Sequence, residues 1–226
     1  MNVELRAEPR TQRVALLAGA TGLIGRELLP LLLNSAQYRE VHVLVRRPLA
    51  GVGLHPTLHT HTVDFTRLPT LPVIDDAFIA LGTTLKVAGS EEAFRHVDFD
   101  FVLNTARAAR AAGATRLAVV SALGADSASR VFYNRVKGDM QAAVAGLGFD
   151  SVVFAQPSLL VGDRAALGQP VRAGEVWATR LLGPVLWLVP KGVRPIQAHD
   201  VAAAMLRAVA EGQPGVRALS SGAMQP

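Results

Sequence analysis

Short apolar runs alternate with helix-length segments through the first two thirds of the chain. Arg13–Ala18 is apolar from Val14 onward and stops at Gly19. Further runs follow at Val41–Val45, His61–Asp64, Ala77–Leu81, Leu117–Ser121 and Ser151–Phe154. Between them Leu23–Ser35, Glu91–Ala112 and Ser129–Leu147 have the length and spacing of helices. Most of the strand-like runs are continuous in hydrophobicity, which implies burial on both faces. Strands that alternate with helices imply a parallel sheet. The predicted fold class is therefore α/β, a doubly wound parallel sheet whose ligand crevice lies beyond the carboxyl ends of the strands.

After Gly162 the pattern changes. Gly168, Pro170, Gly174, Gly183, Pro184, Pro190, Gly192 and Pro195 punctuate an apolar helical stretch from Val176 to Val189, which carries Trp177 and Trp187. An amphipathic helix then runs from His199 to Glu211, and Val216–Leu219 reads as a last strand. We read residues 1–226 as one domain, with residues 163–197 as a small C-terminal cap over the crevice. The two tryptophans read first as core, and then as a substrate wall or partner surface.

Composition narrows the function classes. The 226 residues carry 23 Lys+Arg against 18 Asp+Glu, a net charge of +5, and no cysteine. Without cysteine there is no disulfide, thiolate metal site or thiol nucleophile. The basic residues are scattered singly apart from Arg46-Arg47, so a solvated basic surface is expected and not a nucleic-acid face. The most apolar stretch, Leu181–Pro190, is broken by Gly183 and Pro184 and is too short to span a bilayer. Charged residues from Glu4 to Arg13 do not resemble a secretory signal, and a cytoplasmic protein is expected. His55, His59 and His61 crowd one segment, but no further ligand lies near in sequence, so no metal is assigned.

The strand ends carry the chemistry. After the first strand comes Gly19-Ala20-Thr21-Gly22-Leu23-Ile24-Gly25, glycines spaced G-x-x-G-x-x-G between a predicted strand and a predicted helix. A tight turn, close backbone approach and a helix N-terminus together suit a dinucleotide pyrophosphate. After the second strand stand Arg46 and Arg47, where an acidic residue would hold the ribose 2′-hydroxyl of NAD and an arginine accommodates the 2′-phosphate of NADP. Asp64 and Phe65 end the third strand; Asp64 either accepts from an adenine amino group, with Phe65 beside the ring, or caps a turn. Leu81-Gly82-Thr83 ends the fourth, where the glycine lets the backbone pass close to a cofactor, unless this is an ordinary turn. Ser121 ends the fifth, and Tyr133 and Lys137 follow on one face of the next helix. A lysine ammonium near a phenol favours the phenolate, and such a tyrosine can exchange a proton with a substrate oxygen that a serine holds.

GATGLIGRELL (19–29), VLVRRP (43–48), ALGTT (80–84), the helix from Val97 to Gly113, VSALGAD (120–126), YNRVKGDM (133–140) and QPSLLVGDR (156–164) resemble an atypical short-chain dehydrogenase/reductase, within it the Tat-interacting-protein-like group. The likeness covers most of Val14–Arg164. It implies a Rossmann fold, NADP(H) as cofactor, Ser121, Tyr133 and Lys137 as the catalytic Ser, Tyr and Lys, and a Pro157-Ser158 turn against the nicotinamide. Two positions depart from the family pattern. Asp98 stands where many members have an asparagine, and Gln156 stands where the group often has arginine. The function expected is hydride transfer between NADP(H) and a small or apolar carbonyl or alcohol. The alternative is an NADPH-binding regulator or assembly factor without turnover. A small-molecule substrate is the expected partner, and a homodimer is left open.

Overall fold

The computed structural model describes residues 12–48, 55–161 and 194–225. The strands are β1 (Arg13–Ala18), β2 (Tyr38–Val45), β3 (Leu58–Thr62), β4 (Asp76–Ile79), β5 (Arg116–Val120), β6 (Ser151–Gln156), β7 (Leu160–Val161), β8 (Ile196–Gln197) and β9 (Gly215–Ser220). Seven of them form one sheet in the order β3-β2-β1-β4-β5-β6-β9, and every pairing is parallel. The doubly wound α/β class is thus correct. The strand order reverses between β1 and β4, and a crevice opens beyond the carboxyl ends at such a point.

Helices cover both faces. α1 (Leu23–Leu33) and α6 (Ala198–Glu211) pack on one, and α4 (Val102–Ala111) and α5 (Phe132–Ala145) on the other. Neighbouring residues of β1 serve opposite cores: Leu17 joins the α1/α6 side and Leu16 the α4/α5 side, both without exposed surface. That two-sided burial is why the central strands read as continuous apolar runs.

The predicted helix over 91–112 is three pieces: α3 (Glu91–Arg95), a π-helical turn (His96–Phe101) and α4. A short α2 (Leu85–Ala88) precedes them, capped by the Thr84 hydroxyl, which accepts from Val87 N. β3 lies three residues earlier than predicted. It is an edge strand of alternating His and Thr, so no apolar run marks it. β2 begins earlier too, because Tyr38 is buried and donates to Asp76 at 3.0 Å. Asp76 also pairs with Arg13 at 2.5 Å, closing the amino end of the sheet away from the crevice. Burial pushes the Asp76 carboxyl up from its ordinary range.

β7 and β8 pair in parallel beside the main sheet. The chain ends in α7 (Ser221–Met224), where the Ser221 hydroxyl accepts from Ser158 N at 2.7 Å and so holds the loop after β6. The expected cap lies outside the described residues over 163–193, including the 176–189 helix and both tryptophans.

Candidate functional site

The turn from β1 into α1 is built for contact with backbone. Gly19 has φ +93°, and a Cβ there would stand 2.5 Å from the Ala80 carbonyl carbon and oxygen at the end of β4. A Cβ on Gly25 would stand 2.0 Å from Gly19 O, so the first turn of α1 rests directly on the loop. Gly22 N–H donates to Gly19 O at 3.0 Å, and Gly22 is the residue at which α1 begins. No side chain caps α1, and its first turn has no acidic residue. The outward amides and the positive end of the helix dipole are therefore not met by a carboxylate from the helix's own first turn. This cradle fits the pyrophosphate of a dinucleotide. Thr21 is exposed on it and Leu23 is half-buried, whereas Ile24 is core.

Arg46 and Arg47 follow β2 directly, exposed and without a hydrogen bond or ion pair to another described residue. Asp64 caps a turn: its Oδ1 accepts from Thr66 N at 2.8 Å, which holds the exposed carboxylate below the usual range. Phe65 is 3% exposed and packs on Phe101. The apolar ring stabilises more in the core than at a crevice wall.

The rest of the site lies along α5. Tyr133, Lys137 and Gln141 are four residues apart and form one row on the helix. Gln141 Nε2 donates to Ser121 Oγ at 2.6 Å, and Gln156 Nε2 donates to Gln141 Oε1 at 3.3 Å. Ser121 is buried at the end of β5. Lys137 Nζ lies 2.8 Å from Asp98 Oδ1, an ion pair with both side chains at most 4% exposed. Asp98 Oδ2 accepts from Thr83 N at 2.8 Å, and Gly82 packs over the pair: a Cβ there would stand 3.3 Å from Asp98 Oδ1. Leu81, Gly82 and Thr83 thus sit where α5 and the π-helical turn converge. Tyr133 is half-buried against Phe94, ring centroids 5.3 Å apart. Its hydroxyl has no hydrogen-bond partner among the described residues.

Three contributors escaped the sequence reading. Gln141 was signalled only by its place four residues after Lys137. Asp98 was seen only as a departure from a pattern. Gly138 follows Lys137, and a Cβ on it would stand 2.1 Å from Ser127 N, so α5 seats directly on the loop after β5. Pro157 is buried and its carbonyl accepts from Leu123 N at 3.0 Å, while the Ser158 hydroxyl donates to Arg194 O and accepts from Ser221 Oγ.

The histidines do something else. His42 of β2 is buried, and its Nδ1 lies 2.9 Å from His61 Nε2. Its Nε2 lies 3.2 Å from Glu40, and His59 stacks beside it. His55 lies apart, bonded to Thr57. Among the described residues no group of three or more His, Asp or Glu side chains is arranged to hold a metal ion, and no helix is long and apolar enough to cross a membrane.

Comparison with known proteins agrees with this geometry. Residues 19–147 match a family described as NAD(P)H-binding. Rat Protein HTATIP2 is 33% identical over 187 residues, covering 80% of this chain and 75% of the relative. The mitochondrial Protein FMP52 of Debaryomyces hansenii is 31% identical over 153 residues, covering 66% and 68%. Among solved structures, MoeE5 in complex with UDP-glucose and NAD superposes with a TM-score of 0.65 at 18% identity, over 91% of this chain and 74% of that one. A UDP-glucose 4-epimerase from Thermotoga maritima gives 0.66 at 15%, over 92% and 77%. At such identities these two neighbours speak for the fold. The glycine cradle, the parallel sheet with its order reversed at β1/β4 and the matched 19–147 segment converge: this chain belongs to the NAD(P)H-binding family of Rossmann-type domains, with HTATIP2 and FMP52 as homologues.

Proposed function

We propose that this protein is an NADP(H)-dependent oxidoreductase acting on a small or apolar carbonyl or alcohol. The observation that carries the reading is the row on α5, with Tyr133 half-buried and its hydroxyl without a partner among the described residues, Lys137 seated beside Gly82, and Gln141 holding Ser121. A hydroxyl that binds a substrate oxygen and a phenol that exchanges a proton with it are what carbonyl chemistry requires of the protein. When bound, the nicotinamide supplies or accepts the hydride.

The chain's own residues do the rest. The α1 N-terminus receives the pyrophosphate, and Arg46 and Arg47 stand where a 2′-phosphate arrives. Gln141 occupies one lone pair of Ser121 Oγ, which leaves the Ser121 proton to point at a substrate oxygen. Tyr133 passes a proton to or from that oxygen, and Lys137 holds the ribose. The exposed side chains Leu85 and Val87 after β4, Leu123 after β5 and Val131 before α5 give this end of the sheet an apolar rim, which supports an apolar substrate.

The test is NADPH consumption against a panel of aliphatic and aromatic aldehydes and ketones. Tyr133→Phe keeps the ring and loses the proton, so turnover falls about 10²–10⁴-fold while NADPH affinity stays. Turnover of an identified substrate at the parent rate by Tyr133→Phe refutes the assignment. NADPH binding without turnover of any panel member, coupled to a change in a protein interaction, points to the regulator instead.

A further inference from the structure

We propose that Asp98 is a positioning residue for the cofactor: its carboxylate fixes the Lys137 ammonium at the crevice and thereby organises the site for the nicotinamide half of NADP(H). This rests on the functional reading above. The geometry is specific. Asp98 is 1% exposed, comes from the π-helical turn and has its two oxygens assigned to different elements. Oδ2 is held by Thr83 N at 2.8 Å, in the loop after β4. That contact orients the carboxylate and presents Oδ1 to Lys137 Nζ, 2.8 Å away on α5.

A buried lysine ammonium needs a counter-charge, and without one it neutralises or swings toward water. Its four-carbon stem has many rotamers, so an unpaired ammonium here would not be localised. Paired with Asp98, it is. Lys137 has three N–H donors and Asp98 engages one oxygen, so donors remain for ribose hydroxyls. Gly82 completes the arrangement by packing close over the pair: a Cβ would stand 3.3 Å from Asp98 Oδ1 and 3.9 Å from Lys137 Nζ.

The experiment uses two probes, NADPH and 2′,5′-ADP, which carries the adenosine 2′-phosphate but no nicotinamide ribose. Calorimetric titration of parent and Asp98→Asn is expected to show NADPH binding weakened about tenfold or more, the scale of a hydrogen bond to a charged group, with 2′,5′-ADP affinity unchanged. A purely structural role would weaken both probes together, and that result overturns the proposal, as does NADPH affinity equal to the parent's. Should Asp98→Asn not fold, Lys137→Met and the double variant Asp98→Leu/Lys137→Met take its place. An apolar pair can replace a buried ion pair without loss of fold. The two should bind NADPH equally weakly, because Asp98 acts through Lys137; a double variant markedly weaker than Lys137→Met overturns the proposal. A parent protein that binds neither probe overturns the functional reading itself.

Discussion

Substituting alanine for three glycines separates two physical effects that the β1–α1 turn combines. Gly148, between α5 and β6, has φ +77° and nothing within 4 Å of an added Cβ, so Gly148→Ala meets backbone strain alone. That strain costs about 1–2 kcal/mol. Gly25 lies in a helix without a positive φ, but its added Cβ would stand 2.0 Å from Gly19 O and 2.7 Å from Gly19 C, backbone atoms that cannot rotate away. Overpacking of this kind costs about 1–3 kcal/mol, whereas an unobstructed helical Gly→Ala would gain roughly 0.5–1 kcal/mol, so even the sign is informative. Gly19 meets both effects, with φ +93° and a contact of 2.5 Å to Ala80. Gly19→Ala is therefore expected to cost about 2–5 kcal/mol, the sum of the two ranges. At roughly 2–4 °C per kcal/mol for a chain of this size, thermal melts followed by circular dichroism resolve the order Gly19→Ala below Gly148→Ala. NADPH titration adds the functional half: Gly19→Ala and Gly25→Ala weaken binding, and Gly148→Ala does not. Should Gly25→Ala melt at or above the parent, α1 does not rest on the turn and the cradle argument fails.

Arg46→Ala and Arg47→Ala should narrow a preference for NADPH over NADH by about tenfold to a hundredfold in total, the scale of a charge-assisted hydrogen bond, read by parallel calorimetric titrations; equal affinities in the parent would remove the argument. Gln141→Leu should reduce turnover of an identified carbonyl substrate about tenfold with NADPH affinity unchanged, because Ser121 Oγ loses the donor that directs its proton; an unchanged turnover number would show that the bond is incidental. Burial holds the His42 pKa below its ordinary value of about 6.5, so the folded state binds fewer protons than the unfolded chain once the pH falls below that value. Stability is thus full above about pH 6.5 and declines toward pH 5, and melting temperatures across that window should fall less steeply for His42→Gln than for the parent.

How much of this was legible in the sequence depended on where each residue stands. β1, β4 and β5 are buried on both faces, so their apolar runs announced them. β3, at the edge, carries histidines and threonines whose partners sit across the strand on β2, a relation no local window contains. The glycines, Ser121, Tyr133 and Lys137 were readable because strand–turn–helix context and helical spacing are local. Phe65 has a residue type that suits a stacking surface as well as a core, and the Phe101 ring that it packs on is distant in sequence. Asp98 and Gln141 lie 39 and 20 residues from the groups they hold, so nothing short of the fold itself pairs them with Lys137 and Ser121.

The π-helical turn at His96–Phe101 behaves as a dislocation in a screw. Phe94, Asp98 and Val102 are all buried, four residues apart. In an unbroken α-helix eight residues overshoot two full turns by about 80°, which would carry one end of that row out toward solvent. The wider turn takes the excess back and keeps the three side chains in phase: Phe94 against Tyr133, Asp98 against Lys137, Val102 in the sheet-facing core. The length of this segment is therefore a phase setting. Removing one residue from 96–101 would leave seven steps between Phe94 and Val102, about 700° in a regular helix and so within about 20° of two full turns. The two ends, Phe94 at Tyr133 and Val102 in the core, would keep their phase, and the loss would fall on the wider path between them, which carries Asp98 to Lys137 and Thr83.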